Sequence, residues 1–226
     1  MKEILTTNEW KFSDKPELRT INDVTFTLDP LRDPNLCRGD ENIIFLDIDG
    51  VLNGYNRWNL FGWKLVCLTK NERLKNWYRT ITEPFGVHER KVKRLAKIVK
   101  ATNAKVVMSS SWRFGWWNTP YEKQFTDQKK LTDLLNKYAI EVIDITPRSS
   151  DGRRYKEILE WIQTHRYIVK RFVILDDERF DLECFVGRQL VQTSNVGKGQ
   201  IITGSNREYT GLKNKHVRQA IKILSK

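Results

Sequence analysis

At 226 residues and 26.8 kDa, the chain has room for one ordinary domain with an insertion or a short extension. With 39% apolar and 30% charged residues it is neither disordered nor collagen-like, and no apolar run approaches the roughly 20 residues of a membrane span. Lys+Arg exceed Asp+Glu by 40 − 28 = 12. The opening MKEILTTNEWKFSDK lacks the apolar core of a signal peptide, and Cys37, Cys67 and Cys184 share no CxxC spacing. His88, His165 and His216 are too scattered for a zinc site. The expectation is a soluble cytoplasmic protein in a reducing compartment, with no membrane partner.

The basic excess is uneven. Residues 1–40 hold 6 Lys/Arg against 8 Asp/Glu, leaving 34 against 20 for residues 41–226. His88–Lys105 and Lys198–Lys226 each carry seven basic residues and one acid. Such stretches attract polyanions, or they are solvated helix faces that keep the chain in solution.

Residues 1–40 contain two Asp-Pro pairs and no clear helix, and read as an N-terminal extension. Ile43–Leu46 is a continuous apolar run, as a strand buried on both faces requires. Val87–Ala101 follows with Val92, Leu95, Ile98 and Val99 at helical spacing, and Ala104–Met108 is a second buried run. Lys129–Tyr138 reads as a helix and Ile140–Ile145 as a strand closed by Thr146-Pro147. Arg154–His165 is helical, Phe172–Leu175 is a further buried run, Leu190–Gln192 a short strand, and Leu212–Leu224 a last helix. Strands alternating with helices predict a three-layer α/β fold around a central parallel sheet, over residues 41–226.

Polar residues collect at one end of that sheet. Asp47, Ser109 and Asp176-Asp177 each follow a buried run directly, at the carboxyl end of a strand, where open α/β sheets bind ligands. Asp47-Ile48-Asp49-Gly50 supplies two carboxylates and Asp176-Asp177 two more. Crowded carboxylates repel unless a cation joins them, and short oxygen ligands suit Mg²⁺ better than zinc. A hydroxyl at Ser109 and a cation such as Arg154 would complete a phosphate cradle.

These segments resemble motifs of the haloacid dehalogenase (HAD) superfamily. Ile43–Leu52 (IIFLDIDGVL) is similar to the first motif, Val106–Ser109 to the second, and Phe172–Asp177 to the fourth. The third motif is a Lys or Arg near the start of a helix, filled here by Arg154, with Arg153 and Lys156 as rivals. Val106–Arg113 (VVMSSSWR), the helix around Glu157-Ile158 and Trp161-Ile162, and Gly211-Leu212 resemble one branch in particular. That branch is the HAD domain of Swiss Army knife RNA repair proteins and their stand-alone, often phage-encoded relatives.

The resemblance implies a Rossmann-like HAD fold with a small cap insertion at about residues 53–87, and a Mg²⁺-dependent phosphatase acting through an aspartyl-phosphate. Asp47 would be the nucleophile and Asp49 the acid and then the base, while Ser109 and Arg154 would hold the phosphoryl oxygens. Asp47, Asp49 (through its backbone carbonyl), Asp176 and Asp177 would hold the metal. Ser110, Trp112, Arg113, Arg153 and Lys156 are candidates for substrate binding. The insertion interleaves Tyr55, Trp58, Phe61, Trp63, Trp77 and Tyr78 with basic residues, which suits nucleobases and phosphates, or else builds the cap's own core. The expected substrate is therefore a phosphorylated nucleic-acid end or a nucleotide. A small-metabolite phosphatase and a non-enzymatic nucleic-acid-binding module are the alternatives. The sequence contains no GxxxxGK[ST] loop, so a role in repair calls for separate partner enzymes.

Overall fold

A computed structural model describes the backbone of residues 18–21 and 24–27, and residues 36–53, 65–69, 71–75, 86–193 and 211–225 in full. Five strands form one parallel sheet: β3 (Glu41–Leu46), β4 (Lys105–Met108), β5 (Val142–Ile145), β6 (Val169–Asp176) and β7 (Leu190–Gln192), in the order β5-β4-β3-β6-β7. Strand β3 is central because Ile43–Leu46 are wholly buried and apolar towards both faces. This is the α/β fold that the alternating pattern predicts.

Alternation along the strands divides the core in two. Ile44, Leu46, Val106, Met108, Val173 and Leu175 pack beneath α1 (Glu89–Thr102), α3 (Thr126–Lys137) and α5 (Asn214–Leu224). Ile43, Phe45, Val107, Phe172 and Ile174 pack against α4 (Arg154–Thr164) on the opposite face. In α1, Val92, Leu95 and Ile98 are buried, and the helix stops at Asn103, whose φ of 52° is left-handed. Between β4 and α3, Arg113–Trp116 forms a single helical turn, α2.

Three elements differ from the sequence reading. Helix α3 begins at Thr126 and not Lys129: the Gln128 side chain accepts the Phe125 N–H at 3.0 Å, a cap in a polar first turn that shows no apolar period. Within the N-terminal extension, β1 (Leu18–Ile21) and β2 (Val24–Thr27) pair antiparallel. Four-residue strands are too short to reveal a period of two.

The chain just before β3 is tied to the domain. Leu36 is buried against the α4 side, and the N–H groups of Arg38, Gly39 and Glu41 donate to the carbonyls of Arg166, Val169 and Ile168. Gly39 is required there, since a Cβ would stand 2.0 Å from the Ile168 carbonyl carbon. Of the expected cap region, residues 53, 65–69, 71–75 and 86–87 are described, with helical turns at 65–68 and 72–75. Tyr55, Trp58, Phe61, Trp63, Trp77 and Tyr78 lie outside the described residues.

Candidate active site

Parallel register brings the strand ends level. Leu46 pairs with Leu175 on one side and Met108 on the other, so Asp47, Asp176 and Ser109 leave the sheet side by side. The bonds continue past the strands: Asp47 N–H donates to Leu175 O at 3.0 Å and Ser109 N–H to Leu46 O at 2.9 Å. Connections from β3 and β6 run to opposite sides of the sheet, which opens a crevice between them, and the carboxyls of Asp47, Asp176 and Asp177 converge there with one oxygen of each within 4.8 Å of the others.

The turn after β3 is built around that cluster. Gly50 has φ of +67°, and a Cβ on it would stand 2.2 Å from the Asp177 carboxyl carbon, so only glycine fits. Asn53 closes the turn, accepting the Gly50 N–H at 2.8 Å and donating to Asp49 Oδ1 at 2.6 Å. Thr193 ties the turn to β6: its hydroxyl donates to Gly50 O at 2.7 Å and its N–H to Asp176 O at 2.8 Å.

The electrostatics are those of an anionic cluster short of positive charge. Burial first, then the charge of Asp176, pushes the Asp47 carboxyl up to about 8, against the pull of Arg154 and a hydrogen bond from Ser110. Burial and Asp176 likewise push Asp177 up to about 7, and burial raises Asp176. Arg154 pairs with Asp176 and lies 3.7 Å from Asp47. Burial disfavours its charge, but the two carboxylates outweigh that and hold it protonated. One guanidinium facing three carboxyls leaves room for a divalent cation, and the all-oxygen donor set suits Mg²⁺. The hydroxyl of Ser109 is wholly buried and has no hydrogen-bond partner, as a group waiting for a ligand oxygen would be.

The remaining expected residues are placed as follows. Asp49 is exposed and its carboxylate lies outside the three-carboxyl cluster; Oδ1 takes the Asn53 bond and Oδ2 accepts the Trp112 indole N–H at 3.1 Å. Ser110 is buried and its hydroxyl is engaged by Asp47. Arg113, expected to meet substrate, is instead buried and donates to the carbonyls of Ser109, Ser110, Thr146 and Pro147 and to Glu157 at 2.7 Å. Among the rivals for the third-motif cation, Arg154 alone reaches the cluster; Arg153 and Lys156 turn to Asp151, at 3.5 and 2.7 Å. Asn53 and Thr193 escaped the sequence reading, and Glu157 entered it only as part of the branch resemblance, with no role. Glu157 had left a signal, an acid on the helix face that buries Ile158, Trp161 and Ile162.

With this geometry established, the comparison with known families is direct. The HAD domain in Swiss Army Knife RNA repair proteins matches residues 43–197, more than half of the chain and all of the cluster just described. The chain belongs to this family of HAD domains, which implies a hydrolase. No curated protein and no solved structure matches it. No helix among the described residues is long and apolar enough to cross a membrane.

Proposed function

We propose that the chain is a Mg²⁺-dependent phosphatase acting on phosphorylated nucleic-acid ends or nucleotides. The observation that carries this reading is the juxtaposition of Asp47 with two further carboxyls, a guanidinium and the unpartnered Ser109 hydroxyl at the end of the central strand. Asp47, Asp176 and Asp177 would hold the cation, with the Asp49 backbone carbonyl. When bound, it neutralises charge that would otherwise repel an anionic substrate.

The chain's own residues supply the rest. Ser109 and Arg154 grip the phosphoryl oxygens. An Asp47 oxygen forms a bond to phosphorus as the bond to the leaving oxygen breaks, and Asp49 gives that oxygen a proton. Asp49 then takes a proton from the water that hydrolyses the aspartyl-phosphate. Asn53 and Trp112 both bond the Asp49 carboxylate, and this anchoring beside the cluster supports that role. The description of the family as a component of RNA repair proteins, together with a net charge of +12, favours an anionic polymer over a small metabolite. Separate repair enzymes would be its partners.

The test is phosphate release, with Mg²⁺, from 3′- and 5′-phosphorylated RNA and DNA oligomers, mononucleotides and p-nitrophenyl phosphate. Release that falls at least a thousandfold in Asp47→Asn is expected. Oligomer binding without release from any ester would leave the nucleic-acid-binding module in its place.

A further inference from the structure

Beside Asp49 lies a second cavity that the chemistry above does not use. It is a cleft of about 330 Å³ lined by Ser111, Trp112, Gly115, Phe125, Asp127 and Gln128. Its walls come from the turn after β4 and from the start of α3, so a gap between two crossover elements creates it. Trp112 stands between this cleft and the active site: its indole N–H meets Asp49 Oδ2 at 3.1 Å. Phe125 is 75% exposed and caps α3 through its backbone, so its ring is not required by the core. Asp127 offers a solvent-facing acceptor, and the Gln128 carbonyl is occupied by Phe125 N–H while its amide nitrogen lies 3.2 Å from where a Gly115 Cβ would stand. Two aromatic rings, a donor and an acceptor thus line an open cleft at the small end of ligand-pocket volumes.

The geometry points to this cleft as the pocket for the nucleobase carried by the phosphorylated substrate. Planar rings stack on Trp and Phe, and base–aromatic stacking is worth roughly five- to 150-fold in affinity. The Watson–Crick edge of every base carries a donor and an acceptor together, which the Asp127 carboxylate and the Gln128 amide complement, on a planar ring that a bare sugar phosphate lacks. The location follows from the leaving group. Asp49 protonates the leaving oxygen, and that oxygen belongs to the sugar that bears the base. A base entering the cleft therefore contacts the same indole that holds Asp49, which ties recognition to the placement of the proton donor. The assignment of the leaving oxygen to Asp49 rests on the phosphatase reading; the pocket itself does not.

Phosphate release is measured with Mg²⁺ on ribonucleoside 3′- and 5′-monophosphates, on ribose 5-phosphate, and on phosphorylated oligoribonucleotides whose terminal residue is normal or abasic. Base-bearing esters are expected to exceed their baseless counterparts at least tenfold in kcat/KM, and Phe125→Ala is expected to bring that ratio within about threefold of one. An advantage on mononucleotides marks a free nucleotide as sufficient, while one confined to oligomers marks the terminal base of a strand. Trp112→Phe keeps a stacking face but not the N–H, so it should retain the base preference and lower kcat; an unchanged kcat removes Trp112 as a positioning residue. Equal turnover of base-bearing and baseless esters, or a preference that survives Phe125→Ala, overturns the pocket. If no ester is hydrolysed, the phosphatase reading fails on its own, and calorimetric titration of the full chain with guanosine monophosphates and ribose 5-phosphate decides the pocket. Nucleotide binding at least fivefold tighter than ribose phosphate and weakened by Phe125→Ala sustains it, and equal binding overturns it.

Discussion

Asp47 sits 3% exposed beside two other carboxyls, a position that is costly for a charge. The sign of the pH effect follows. The unfolded carboxyl ionises near 4, while the folded one keeps its proton up to about 8, so the folded state binds more protons across that window. The stability associated with Asp47 is complete below pH 4 and is lost as pH rises through 8. Asp47→Asn removes the ionisation, so the metal-free variant should melt a few degrees above the wild type at pH 8 and within about a degree of it at pH 4, while phosphate release disappears. Thermal melts in EDTA check this; a variant that melts lower at pH 8 would show that attraction to Arg154 outweighs burial and repulsion. Asp47, Ser109, Asp176 and Asp177 could be found from the sequence because a strand buried on both faces must end at its last apolar residue, which puts the next one at the sheet's carboxyl edge. Asn53 and Thr193 could not, since nothing in a local pattern says that Thr193 will meet a carbonyl at Gly50.

The turn after β4 and helix α4 come from distant parts of the chain, and a buried ion pair joins them. Arg113 and Glu157 meet at 2.7 Å with relative side-chain exposures of 3% and 6%. Arg113 gathers the Ser109 and Ser110 carbonyls, and the other oxygen of Glu157 accepts the Ser149 N–H at 3.1 Å. Glu157 lies one helical turn beyond Arg154, so the pair fixes the Ser109 hydroxyl relative to the Arg154 guanidinium. Removing one partner of a buried pair leaves the other charge uncompensated, and Glu157→Gln should cost about 3 kcal/mol in urea unfolding, with a drop in kcat larger than any rise in KM. A cost under about 1 kcal/mol would mean that the four carbonyls hold Arg113 without Glu157. The elements themselves were readable from periodicity: α1 and α4 show their apolar faces, and β3 and β6 their unbroken runs. The β1–β2 pairing and the start of α3 were not, because four-residue strands and a polar capping turn carry too few apolar residues to define a period. The Arg113–Glu157 brace was readable only in half, as a misplaced acid whose partner 44 residues away the fold alone supplies.

The two basic stretches of the sequence are separated by about ninety residues, and topology brings part of them together. Helix α1 carries exposed Arg90, Lys93 and Lys97, and α5 carries exposed Lys215, Arg218 and Lys222; the two helices pack against each other on one side of the sheet. Arg94 joins them through a 2.8 Å bond to Leu212 O. A face of this kind binds a polyanion by displacing its counterions, and the affinity then falls with salt by about 0.7 logarithmic units per single-strand phosphate engaged. Three or four phosphates correspond to a loss of roughly twenty- to fiftyfold between 50 and 200 mM salt. Binding of a phosphorylated RNA oligomer to Asp47→Asn protein should show that loss, while turnover of p-nitrophenyl phosphate by the wild type should change by less than about threefold over the same range. Reversing one charge on each helix, with Lys97→Glu and Arg218→Glu together, should flatten the oligomer's salt slope by about 1 to 2 and leave the p-nitrophenyl phosphate rate as it was. A slope that the double reversal does not alter would assign these helices to solubility and place the polymer's contacts elsewhere on the molecule.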